Sequence, residues 1–192
     1  MTDQYKTALR TTIKQVRSKT SRAYRLKVSQ QICNKVKRLE QYRRAKQIAL
    51  YFPINGEIDL SSLWNSAPLQ GKFCYFPALN KDLTLSFLPA TPTTAFSKNH
   101  YGIHEPDVSF DLAKPIEQLD LIIMPLVAFD IHCTRVGMGA GYYDRTLEHK
   151  KPRNLIGVAY QFQYLDFIEP NPWDIPMDAV ITEQMIYWRN NA

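Results

Sequence analysis

The stretch DLIIMPLVAFDIHCTRVGMGAGYYDR, residues 120–145, decides the fold. Its first ten residues, 120–129, form the most hydrophobic run in the chain, with no charge from Leu121 to Phe129. Such a run reads as a central strand buried on both faces, as in a parallel sheet. A polar loop follows, with glycines at 137, 139 and 141, and then a helix is expected from about Gly139 to His149. Strand, glycine loop and helix in that order make half of a βαβ unit.

Outward from this stretch the same texture recurs. IALYFP (48–53), KFCYFPAL (72–79), LIGVAY (155–160) and AVIT (179–182) are short apolar runs and read as buried strands. LTLSFL (83–88) alternates after the turn-forming Asn80-Lys81-Asp82, and MIYW (185–188) reads as a last edge strand. LSSLWN (60–65) reads as a short helix, and residues 89–118, with four prolines and one glycine, as mostly loop. Before all of these stand two helices. Residues 3–18 place Tyr5, Leu9, Ile13 and Val16 at helical spacing, with Thr2 as the candidate cap. Ser21 to Arg38 repeats the pattern with Leu26, Ile32, Val36 and Leu39 inward and Ser21 as its N-cap. The expected fold is a single α/β domain over 1–192. It has a largely parallel sheet flanked by helices (47–192) and a basic helical N-terminal arm (1–46).

The charge is unevenly placed. Residues 1–46 hold 14 Lys/Arg against Asp3 and Glu40, while the remainder holds 10 Lys/Arg against 16 Asp/Glu. The net +6 is therefore the difference between a strongly basic arm and a mildly acidic body, and it calls for an anionic partner. RNA is one candidate, and a non-catalytic RNA-binding module is the alternative reading. The arm has no stripe of aromatics for base stacking and no zinc finger, so a small polyanion such as a nucleotide or a polyglutamate tail fits as well. No apolar run reaches membrane-spanning length, and the N-terminus has no apolar signal core. Cys33, Cys74 and Cys133 are scattered without a CxxC pair and are expected to be reduced, buried thiols in a cytoplasmic protein.

The densest chemical signal is Arg135-Val136-Gly137-Met138-Gly139-Ala140-Gly141-Tyr142-Tyr143-Asp144-Arg145. Alternate glycines let a backbone approach a ligand closely, and free N–H groups at a helix start favour an anion. Arg135 and Arg145 bracket the loop with charge suited to phosphate oxygens. The pattern lacks the Gly-Lys-Ser/Thr of a Walker A loop, and position 142 is Tyr where a dinucleotide fingerprint needs a third glycine. The four histidines, at 100, 104, 132 and 149, have no metal-binding spacing, and no serine sits in a GxSxG elbow.

Gly-x-Gly-x-Gly-Tyr-Tyr-Asp-Arg after a strand ending Val-Ala-Phe-Asp (127–130) resembles the 5-formyltetrahydrofolate cyclo-ligase family, whose members are also called methenyltetrahydrofolate synthetases. Agreeing segments are the basic helix with Lys6 and Arg10, LYFPINGEID (50–59), YGIHEP (101–106), and WDIPMD (173–178) with Thr182-Glu183. The resemblance implies conversion of 5-formyltetrahydrofolate and MgATP to 5,10-methenyltetrahydrofolate, ADP and phosphate. It implies ATP contacts at Lys6, Arg10, Arg135, Val136, Gly137, Met138, Gly139, Ala140, Gly141, Tyr142, Tyr143 and Arg145. Folate contacts are implied at Phe52 and Glu57 and along the loop from Met138 through Gly139, Ala140 and Gly141 to Tyr142. It implies catalytic roles for Arg135 and Tyr142, and Mg²⁺ held by Asp144 and Asp178. Some relatives carry cations where this chain has Met138 and Ala140, so its loop charge rests on Arg135 and Arg145. The implied partners are small molecules only, with no nucleic acid and no membrane, and the protein is expected to be a monomer.

Overall fold

The computed structural model describes residues 3–189. Helices α1 (Asp3–Lys19), α2 (Arg22–Arg38) and α3 (Glu40–Arg44) precede β1 (Gln47–Ala49). Next come α4 (Ser61–Ser66), β2 (Phe73–Leu79), β3 (Leu85–Ala90), β4 (Phe96–Lys98) and β5 (His104–Pro106). The chain continues through β6 (Leu121–Pro125), β7 (Ala128–Phe129), β8 (Arg135–Val136), α5 (Tyr142–Leu147), β9 (Leu155–Val158), β10 (Ala179–Ile181) and β11 (Ile186–Trp188). Seven strands make one sheet in the order β11-β10-β9-β6-β1-β2-β3. Its centre is parallel, and the antiparallel pairs β2–β3 and β10–β11 lie at the edges.

The apolar runs divide between two cores because successive strand residues face opposite ways. Ile48, Leu50, Leu121, Ile123, Ile156, Val158 and Ile181 point to the face covered by α2 and α4, where Val28, Ile32, Val36 and Leu63 meet them. Ala49, Ile122, Met124, Leu155 and Val180 point to the other face, which is closed by Leu147 of α5, by Phe129 of β7, and by Ile116 and Met177 from the connecting segments. Helices thus layer one face of the sheet, while mostly loops layer the other.

Several local expectations are corrected. The 120–129 run is not one strand. Pro125 has no N–H to continue the ladder, the chain leaves the sheet there, and β7 pairs antiparallel with β8 in a separate ribbon. The stretch 89–118 contains the antiparallel β4–β5 hairpin. The helix after the glycine loop is six residues long, Tyr142–Leu147. Ser21 does cap α2, its side chain accepting from the Tyr24 N–H at 3.1 Å. Leu26, expected inward, is 55% exposed, and Tyr5 and Val16 are exposed on α1. Thr2 lies outside the described residues.

The three cysteines are free and buried, and burial pushes their thiols up to about 11 for Cys33 and Cys133 and about 12 for Cys74. No described helix is long and apolar enough to cross a membrane.

Candidate active site

The strand order reverses at β1. The chain adds β2 and β3 on one side of it, and β6, β9 and β10 on the other. In open α/β sheets the crevice outside the carboxyl ends of the strands at such a reversal is where ligands bind. A cavity of about 440 Å³ opens at that point, walled by Tyr51 and Phe52 beyond β1 and by Pro125 at the end of β6.

Helix α1 forms one side of the crevice, and it does so with charge. Its inward face is Lys6, Arg10, Ile13 and Arg17, spaced by four, three and four; Lys6 and Arg17 are buried and Arg10 half-buried. Only Ile13 and the half-buried Leu9 give that face an apolar anchor, on Val127, Val136 and Ile168. Buried cations are costly unless paired, and the chain supplies a partner for each of these. Lys6 Nζ stands 3.8 Å from an Asp174 carboxylate oxygen. Arg10 Nε donates to the Gly137 carbonyl at 2.9 Å. Lys14, one step around the helix, lines the cavity.

The glycine loop lies under Arg10. Gly139 has φ +106°, and a Cβ there would sit 3.3 Å from the Arg10 guanidinium, so the close approach of loop and helix needs a glycine. Gly137, Met138, Ala140, Gly141, Tyr142, Tyr143 and Asp144 line the cavity, whereas Val136 is buried in β8 opposite Ala128. Arg135 also lines it, with its guanidinium held in place by the Ile175 carbonyl and, at 2.6 Å, by Asp144 Oδ1. Arg145 turns back on the loop. It donates to the Leu83 carbonyl at 3.0 Å and to the Ala140 carbonyl, and lies 5.7 Å from the Tyr142 ring centre. A hydrogen bond with Tyr101 raises the Tyr142 phenol above its ordinary value.

The opposite wall is aromatic. Phe52 packs against Phe96 at 4.6 Å between ring centres, Phe76 at 5.0 Å, His104 at 5.4 Å and Trp64 at 5.8 Å. Glu57 closes this end. Its Oε2 accepts from the Ile54 N–H at 3.1 Å, and its Oε1 faces Arg17 at 3.5 Å. Burial pushes the Glu57 carboxyl up to about 7, against the pull of the Ile54 N–H, Arg17 and Lys14.

The two carboxylates expected to share magnesium are not brought together. Asp144 lines the cavity, and its Oδ1 accepts from Arg135 and from the Ile175 N–H at 3.2 Å, leaving Oδ2 without a hydrogen bond from a described residue. Asp178 stands just before β10, and its Oδ2 accepts at 2.7 Å from the N–H of Leu155, the first residue of β9. That is the amino end of the parallel sheet, while the crevice is at its carboxyl end. Oδ1 of Asp178 faces Arg189 at 3.9 Å. Among the described residues no group of three or more His, Cys, Asp or Glu could hold a metal ion.

Sequence reasoning missed Lys14, Arg17, Tyr51, Asn99 and the lining role of Tyr101 and His104. The signal for Arg17 was present, because it continues the spacing of Lys6 and Arg10 along one helix face. Tyr101 and His104 stood in the YGIHEP segment, but strands of three residues each gave no periodicity to place them in a cavity wall.

A crevice with a cationic, glycine-lined end and an aromatic end closed by a carboxylate has the make-up of a small-molecule site in an α/β enzyme. The chain matches the model of the 5-formyltetrahydrofolate cyclo-ligase family over residues 2–183. It is 35% identical over 185 residues to the 5-formyltetrahydrofolate cyclo-ligase of Haemophilus influenzae, spanning 94% of this chain and 99% of that one. The NMR structure of Aquifex aeolicus 5,10-methenyltetrahydrofolate synthetase superposes with a TM-score of 0.85 at 32% identity, covering 97% of this chain and 94% of that one. The corresponding values for a 5,10-methenyltetrahydrofolate synthetase from Mycoplasma pneumoniae are 0.73, 29%, 93% and 98%. The chain belongs to the 5-formyltetrahydrofolate cyclo-ligase family, and it is a ligase.

Proposed function

We propose that this protein converts 5-formyltetrahydrofolate to 5,10-methenyltetrahydrofolate, turning ATP into ADP and phosphate. The formyl oxygen takes the γ-phosphoryl group of ATP. N10 then attacks the activated formyl carbon and loses its proton, and the carbon–oxygen bond breaks as phosphate leaves and the ring closes. Holding two substrates in line is most of what such chemistry asks of a protein. The observation that carries this reading is that the glycine loop and the Phe52–Glu57 wall line one cavity.

In this reading Lys6, Arg10 and the loop from Arg135 to Arg145 hold the nucleotide phosphates. Arg135, fixed by Asp144 and Ile175, stabilises charge as the phosphoryl group transfers. Phe52 covers a face of the pterin, and Glu57 accepts its paired N–H groups. Tyr142 sits where the two ligands meet and orients them. Asp144 fits a magnesium site of the one-carboxylate kind through its free Oδ2, with phosphate oxygens and water completing the shell. When bound there, magnesium supplies charge neutralisation on the phosphates. Asp178, at the other end of the sheet, does not join that site.

The test is to mix the purified protein with 5-formyltetrahydrofolate and MgATP and record the absorption of methenyltetrahydrofolate. Product is expected, and none under varied pH and magnesium would overturn the proposal. The inward cations of α1 support a ligand inside the crevice over a solvated RNA-binding face. Salt-dependent retention on RNA without ATP turnover would reverse that judgement.

A further inference from the structure

Arg17 is fully buried, yet the guanidinium is incompletely satisfied. Its NH1 faces Glu57 Oε1 at 3.5 Å, its NH2 stands 4.0 Å from Met138 Sδ, and its Nε has no hydrogen-bond partner. A buried arginine held this loosely is a poor stabiliser, because desolvation takes more than such contacts return. Leucine or methionine would serve plain packing better. The backbone ties the same two places together. Gly56, φ +75°, lies against α1 so tightly that a Cβ there would meet the Arg17 Cβ and carbonyl oxygen at 3.3 Å. The Asn55-Gly56 turn that delivers Glu57 is thus seated on Arg17 through both main chain and side chain.

We propose that Arg17 is a positioning residue of the folate compartment: from behind the cavity it favours the carboxylate form of Glu57 against the effect of burial and aims it inward. The inference rests on the reading of Glu57 as the acceptor of pterin N–H groups. A protonated Glu57 would offer a donor where the pterin also offers donors, so the pocket needs the charged form. Four groups face this carboxylate. They are Arg17 and Lys14 from α1, Tyr51 beyond β1 and Tyr143 of α5. The two tyrosines are held neutral by burial, and their phenols rise further because of Glu57. The opposing cations are therefore Arg17 at 3.5 Å and Lys14, which is exposed and screened. Met138 links the arrangement to the glycine loop.

The experiment measures equilibrium binding of 5-formyltetrahydrofolate without nucleotide, over a pH series through neutrality. It compares the wild type with Arg17→Met, Arg17→Lys and Glu57→Gln, and includes apparent ATP affinity for each. Arg17→Met is expected to weaken folate binding about tenfold or more at neutral pH, recovering at higher pH as Glu57 ionises. Arg17→Lys should keep the wild-type midpoint, and ATP affinity should hold in both. Arg17→Gln replaces Arg17→Met if the latter gives no folded protein. In the Glu57→Gln background, removing Arg17 should add little, because both act through one carboxylate. Unchanged folate affinity and midpoint in the neutral Arg17 variants, with Glu57→Gln impaired, would overturn the inference and leave the reading of Glu57 standing. Full folate affinity in Glu57→Gln would overturn both.

Discussion

The two ends of the crevice are built by different means. The end proposed for the nucleotide is backbone and fixed charge: a loop with glycines at 137, 139 and 141 beneath Arg10, steadied by Arg135 and Arg145. The end proposed for the folate is side chains in a hydrophobic setting, a ring cluster around Phe52 with one buried carboxylate. A backbone site tolerates water and works by shape and charge. A side-chain site in apolar surroundings perturbs whatever ionisable group it holds, and Glu57 is the result. The nucleotide end should therefore respond to charge removal, and the folate end to pH.

The largest effect expected is at the junction. Asp144→Asn keeps the contacts of Oδ1 but weakens the grip on Arg135 and the affinity for magnesium, so turnover should fall about 100-fold or more while the fold survives. Turnover against magnesium concentration checks it. A wild-type rate with an unchanged magnesium requirement would move both roles away from Asp144.

The next prediction sharpens the folate end. Burial raises the Glu57 carboxyl from its ordinary 4.5 to about 7 in the folded, ligand-free protein. Between those values the unfolded chain has lost this proton and the folded chain has kept it. The group's contribution to stability is therefore full below about 4.5 and is lost as pH rises through about 7. The loss comes to roughly 3 kcal/mol. Glu57→Gln, which resembles the neutral form, should lack this fall and so be more stable than the wild type at pH about 8, yet bind folate poorly. Urea melts on either side of the interval check the sign, and parallel slopes for both proteins would contradict it.

The contrast also explains what could be read from the sequence. A backbone site needs particular residue types at consecutive positions, so Gly137 to Asp144 was legible as a motif. The parallel centre of the sheet was legible because its strands are continuous apolar runs. The inward face of α1 was not. Periodicity assigns apolar residues to the inside, which points to Tyr5 and Val16, but here Lys6 and Arg17 are inside. Acidic partners far along the chain, Asp174 for Lys6 and Glu57 for Arg17, make that arrangement possible, and periodicity carries no information about them. Pro125 ended its strand early by removing one N–H, a local fact that overall hydrophobicity conceals. Asp178 entered by resemblance of its segment, and its position follows from the β9–β10 register.

A smaller effect tests whether the nucleotide end works by charge. Arg10→Ala removes the Nε donor to Gly137 and one charge beside Gly139. Apparent ATP affinity should fall by about 1.5–3 kcal/mol, as for one charge-assisted contact, with folate affinity near normal. Lys6→Ala should act in the same direction but less, because Asp174 already shares that charge. Equal losses for both ligands would mean that α1 holds the crevice open and does not bind phosphate.

The smallest effect is the most diagnostic for the metal. Asp178 and Asp144 are acids flanking the same stretch of chain, since Asp144 accepts from Ile175 and Asp178 lies three residues further on. The stretch runs from the crevice to the opposite end of the sheet, where Asp178 Oδ2 accepts the first N–H of β9. That N–H would otherwise lack a partner, and Arg189 stands 3.9 Å from the second oxygen. Asp178→Asn keeps a carbonyl acceptor and loses only the charge, so it should cost about 1 kcal/mol of stability. Its turnover and its magnesium requirement should match the wild type, whereas Asp144→Asn changes both. Asp178→Ala, which removes the acceptor altogether, should destabilise further and still leave the magnesium titration midpoint in place. If Asp178→Asn instead shifts that midpoint, the segment from Ile175 to Asp178 must swing toward the phosphates when MgATP binds, and the two carboxylates form one site only in the loaded enzyme.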